Sequence, residues 1–135
     1  MQPKDSRDFQ KAAGQRLTTA QKLLDMKVTL EAQYLGGYTV ECSLKALILH
    51  RTRDRDKPDK LEKITSGAPM HRPEVLLGEL RDLGVSLPPD IARRMRRFHW
   101  TPNLRYETGR RDTGETIGFL KTATAIYAWV EEQLP

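Results

Sequence analysis

Arg94 and His99 stand with four residues between them in the most basic stretch of the chain, where Arg93, Arg94, Arg96 and Arg97 fall within five positions. Arginine and histidine together are enough for phosphodiester chemistry without a metal. An imidazole near its own pKa takes a proton from a ribose 2′-hydroxyl or returns one to the leaving oxygen. A guanidinium neutralises the charge that develops on the phosphorane. Arg105, Arg110 and Arg111 follow soon after. A clustered basic patch points to an anionic partner, RNA or a nucleotide first, with Arg93, Arg96, Arg97 and Arg105 as the charges that track it. The competing reading is a solvated basic face with no partner.

Geometry limits the pair. At 100° per residue, Arg94 and His99 on one helix diverge by about 140°. They converge only if that helix ends or bends near His99, or if a symmetry mate supplies half of the site. A C₂ dimer with the apolar strip of this helix near its axis would bring two such pairs together.

The elements that must position these residues read as helices. Phe9, Ala13, Leu17, Ala20 and Leu24 recur at helical spacing and predict a first helix over 5–26, with Ser6 as a weak cap. After a break at 27–29, the segment from about Leu30 to His50 predicts a central helix, antiparallel to the first. Its core, YLGGYTVECSLKALILH, is apolar on every side, so it belongs inside a bundle. Within it Glu41 and Lys45 form an acid-first i,i+4 pair. Gly36 and Gly37 cost helix propensity, which a close approach by a neighbouring element would explain.

Residues 51–69, dense in charge of both signs, predict an exposed and flexible loop. His71–Leu83 predicts a third helix, entered through Pro73 and closed by Gly84, with His71 in a capping or orienting role. Residues 89–99 predict the basic fourth helix, ended by Trp100 and Pro102. Asp112 and Glu115 are placed to cap a last helix whose stripe is Phe119, Ala123, Ile126 and Val130. The expectation is one all-α domain over 1–135, an up-and-down bundle of about five helices.

Much is excluded. No Gly-rich phosphate loop or GxSxG elbow is present, and the three histidines lack metal-ligand spacing, so neither metal nor cofactor is expected. Cys42 is the only cysteine, so no disulfide can form within the chain and a reducing, cytoplasmic setting is the simplest home. The polar start lacks a signal-peptide pattern, and the central apolar run is too short and interrupted to span a membrane.

Several stretches together resemble the HEPN domain family (higher eukaryotes and prokaryotes nucleotide-binding). They are AAGQRLTTAQKLL, YLGGYTVECSLKALI, MHRPEVLLGELRDLG, RRFHWTPNLRYE and TAIYAWVEEQL. The resemblance implies a helical bundle that usually dimerises, and for many members RNase activity in toxin–antitoxin, antiviral-defence or RNA-processing systems. The family signature is an Arg, four to six residues, and a His; Arg94 and His99 match it, as do Arg93 and His99. Arg105-Tyr106 resembles the loop of a branch often found beside a small nucleotidyltransferase, which implies such a partner and a nucleotide-facing role for both residues. Tyr34, Tyr38, Glu41 and Lys45 lie along one line of the central helix, and the expectation is that this line, with Glu41 as counter-charge, faces the fourth-helix arginines. Two functions are therefore carried forward. One is a binding module for RNA, nucleotide or a nucleotidyltransferase; the other is a metal-independent endoribonuclease using Arg94 and His99.

Overall fold

A computed structural model describes residues 2–135. It contains six α-helices: α1 (Ser6–Asp25), α2 (Thr29–Arg51), α3 (Lys57–Thr65), α4 (Pro73–Asp82), α5 (Pro89–Met95) and α6 (Thr113–Gln133). Short 3₁₀ turns lie at Asp54–Asp56, Ala68–His71 and Pro102–Tyr106, and there is no strand among the described residues. The protein is all-α, and no helix is long and apolar enough to cross a membrane among those residues.

The three long helices form the body. Thr39 of α2 donates to the Ala13 carbonyl, and Ser43 donates to Gln10, so α1 and α2 run antiparallel. Gln33 donates to Thr116, and Arg51 to Gln133, so α2 and α6 run parallel. Five alternating helices would place the last parallel to the first. Instead there are six helices, and α6 runs antiparallel to α1 through the Gln10–Tyr127 and Arg7–Glu131 contacts.

Helix α2 is the centre, as its all-round apolar surface requires. Val40, Leu44, Ala46, Leu47 and Ile48 are fully buried, with partners on every side. Gly36 and Gly37 are where neighbours come closest. A Cβ at Gly36 would lie 2.6 Å from Leu120 of α6, and one at Gly37 would lie 1.9 Å from the Trp100 indole. The helix propensity lost at these positions is exchanged for close packing.

The turns follow local chemistry. Asp5, rather than Ser6, caps α1 by accepting from the Asp8 N–H. Lys27 takes the left-handed conformation (φ 62°) between α1 and α2, and Val28 N–H bonds back to the Leu23 carbonyl. Gly84 closes α4 with φ 79°, and Asp112 caps α6 by accepting from Glu115 N–H.

Residues 51–69 depart from the expected flexible loop. Lys57–Thr65 is helix α3, held by fully buried Ile64 and half-buried Leu61. Glu79 of α4, buried beneath it, lies 2.5 Å from Lys63 Nζ, a contact of charge rather than of aligned hydrogen-bond geometry, and 3.8 Å from Lys60 Nζ. The charge run is therefore the outer face of a docked helix. Two apolar residues among so many charges carry too weak a periodic signal to reveal it.

Candidate functional site

The basic helix is shorter than its pattern suggests. Helix α5 ends at Met95, and Arg97 and Phe98 donate their N–H groups to the Arg94 and Met95 carbonyls in a tightening turn. Ile91, Met95 and Phe98 are buried, and Phe98 stacks on Phe119 of α6 with ring centroids 4.2 Å apart. This anchor leaves Arg93, Arg94, Arg96, Arg97 and His99 all exposed.

Because the helix stops before His99, the 140° divergence expected of one continuous helix does not apply. Arg93, Arg94, Arg97 and His99 line one open cavity of about 400 Å³, with Glu115, Gly118 and Thr122 of α6 along the opposite wall. None of these arginines takes part in an ion pair among the described residues. Glu115 is the single acid against three guanidiniums. It lies in the first turn of α6, where the helix dipole adds positive potential. Such a cavity can take an anion, with planar guanidinium forks matched to phosphate oxygens.

Not all the sequence-chosen residues join this cavity. Arg96 is exposed and lines neither of the two basic cavities. Arg105 sits in the 3₁₀ turn at 102–106, over the ring of the exposed Tyr106 with 4.8 Å to its centroid. It lines a separate cavity of about 480 Å³ with Tyr38, His71, Arg72 and Asn103.

The expected counter-charge role of Glu41 is overturned. Its carboxylate meets no arginine. It accepts from Lys45 Nζ at 2.9 Å and sits 3.1 and 3.2 Å from His71 Nδ1, with Glu41 and Lys45 both deeply buried. The polar line on α2 thus faces the 68–71 turn and Trp100, not the arginines of α5. Tyr38 makes edge contacts with Tyr34 and Trp100 at 5.1 and 4.9 Å. Burial, and then the hydrogen bond with Tyr34, hold the Tyr38 hydroxyl well above its ordinary pKa, so it stays protonated. Trp100 is buried against Gly37 with its indole N–H unpartnered among the described residues. Half-buried Cys42 is pushed up to about 12, first by desolvation and then by the neighbouring Glu41 charge.

His71 is the functional candidate that sequence reasoning assigned only to helix entry. Thirty positions separate it from Glu41, and no local pattern links residues so far apart. Among the described residues, no cluster of His, Cys, Asp and Glu could hold a metal ion. Comparison of the chain with protein-family models, curated proteins and solved structures gives no match.

Proposed function

We propose that the protein is a HEPN-like module that binds RNA or a nucleotide through the basic face at the end of α5, in a homodimer or beside a nucleotidyltransferase partner of a toxin–antitoxin or defence system. The observation that carries this reading is the cavity in which Arg93, Arg94 and Arg97 converge without acidic partners of their own. Guanidiniums left unpaired beside a helix N-terminus favour phosphate oxygens over a neutral ligand. RNA bound this way is held mainly by its backbone, so affinity falls steeply with salt.

The test is titration of the chain with a single-stranded oligoribonucleotide over a range of salt concentrations. Arg94→Ala and Arg97→Ala are each expected to lower affinity and to reduce the salt slope by about 0.7, the loss of one phosphate contact. Binding unchanged in both variants, or no binding at low salt, sinks the proposal.

A second reading, metal-independent RNA cleavage, is favoured by one observation: His99 and Arg94 line the same cavity. His99 would move the proton of the 2′-hydroxyl or of the leaving oxygen while Arg94 stabilises the phosphorane. A dimer mate would supply the second acid–base group. Cleavage should persist in a chelator and vanish in His99→Ala, whose side chain is exposed and leaves the Phe98–Phe119 anchor intact. An intact RNA substrate after prolonged incubation with the wild-type chain rejects it.

A further inference from the structure

The second cavity shares no lining residue with the α5 cavity. It is walled by the 67–72 turn and the 101–105 segment, and none of its lining residues is acidic. Arg72 and Arg105 contribute two guanidiniums, both exposed and neither in an ion pair among the described residues. Asn103 and the Tyr38 hydroxyl add neutral hydrogen-bonding groups.

His71 makes this more than a basic dent. Its Nδ1 faces both oxygens of a buried carboxylate, at 3.1 and 3.2 Å, and that carboxylate is itself neutralised by buried Lys45 at 2.9 Å. A carboxylate acceptor places the proton on Nδ1 and fixes the ring orientation, as an oriented acid–base histidine requires. The other ring nitrogen, Nε2, has no partner among the described residues, and the side chain is 44% exposed where the ring lines the cavity. A structural histidine needs only the first of these contacts.

We propose that this cavity is a second anion site, distinct from the α5 cavity, that takes one phosphate monoester: Arg72 and Arg105 hold its oxygens, and His71 Nε2 shares its proton. The monoester is selected over a diester because it carries an ionisable proton with a pKa of about 6, close to that of imidazole. Whichever partner holds that proton, the hydrogen bond is charge-assisted. A phosphodiester has no proton to share and would meet His71 less well. Two sources present this chemistry, a free nucleoside monophosphate and the 5′-phosphorylated end of an RNA.

The experiment follows the imidazole signals of His50, His71 and His99 by NMR in the full chain, assigned by single substitution. Adenosine 5′-monophosphate is titrated to millimolar concentration, with adenosine as the control. The expected result is a shift of the His71 Nε2 signal with the monophosphate and none with adenosine. The Arg72→Ala/Arg105→Ala pair, at exposed positions that leave the core untouched, should weaken binding by about tenfold or more. Read at the His71 signal alone, Arg94→Ala should leave the affinity within about twofold, even where it weakens nucleotide binding at the α5 cavity, which separates the two sites. Displacement of the monophosphate by a 5′-phosphorylated oligoribonucleotide, and not by its 5′-hydroxyl counterpart, identifies the RNA end as a source; displacement by neither identifies the free nucleotide. A His71 signal unmoved by the monophosphate, or a His71 shift lost with Arg94→Ala and kept in the double variant, overturns the proposal.

Discussion

Glu41 shows how much one buried charge decides. Lys45 is only 4% exposed and finds its countercharge within its own helix, one turn back. Removing one partner of a buried pair strands the other, at a cost of about 3–5 kcal/mol, whereas replacing both with apolar side chains is close to neutral. Glu41→Ala should therefore lower unfolding free energy by about 3–5 kcal/mol in chemical denaturation, and Glu41→Leu/Lys45→Met should recover most of it. If the double variant is as unstable as the single one, the loss does not come from stranding Lys45. The adjacent Cys42 gives a second prediction at this scale. Thiolate is the nucleophile, and a thiol pushed up to about 12 is almost wholly protonated at neutral pH. Alkylation by iodoacetamide should be much slower in the native protein than in denaturant, read by mass spectrometry; equal rates would contradict the burial and charge assigned to it.

At the scale of the element, two glycines separate packing from propensity. A Cβ at Gly37 falls inside the Trp100 indole, a ring locked between α2 and the core, so Gly37→Ala overpacks. The expected loss is about 1–3 kcal/mol despite the gain in helix propensity. Gly118 of α6 meets nothing within 4 Å and lines the α5 cavity. Gly118→Ala should raise stability by about 0.5–1 kcal/mol, because only the propensity term remains. Thermal melts of the two variants should move in opposite directions. A Gly118→Ala variant that also weakens RNA binding would tie that wall of the cavity to the ligand.

For the whole molecule, the pH response gathers groups from separate helices. His50, near the end of α2, has its pKa lowered, first by burial and then by Arg51, Lys57 and Arg7, so the fold favours its neutral form. Its stabilising contribution is present above the unfolded value of 6.5 and is lost as pH falls through the folded one. Glu131 of α6 has its pKa lowered by hydrogen bonds from Arg7 and Gln10 of α1, so its contribution is lost at lower pH, below 4.5. The melting temperature should thus decline in two stages on acidification. His50→Gln should flatten the first and leave the second, and Arg7→Ala should shrink the second. Identical pH profiles for wild type and His50→Gln would refute the first assignment.

The sequence by itself determined the all-α class, the central place of α2, the Glu41–Lys45 pair, a short break between the first two helices, the Gly84 and Asp112 helix ends, and the run of basic residues. Each is written in neighbours three or four positions apart, the range over which helical periodicity and capping act. Tertiary structure decided the rest. It turned the charged segment into α3, because Lys60 and Lys63 meet Glu79, and Ile64 meets the core, only across the fold. It stopped α5 at Met95, so that Arg94 and His99 share a cavity rather than opposite faces. It gave Glu41 to His71 rather than to the arginines, and it separated Arg105 from Arg93, Arg94 and Arg97. Contacts between separate elements depend on how the bundle closes, and no local spacing encodes them.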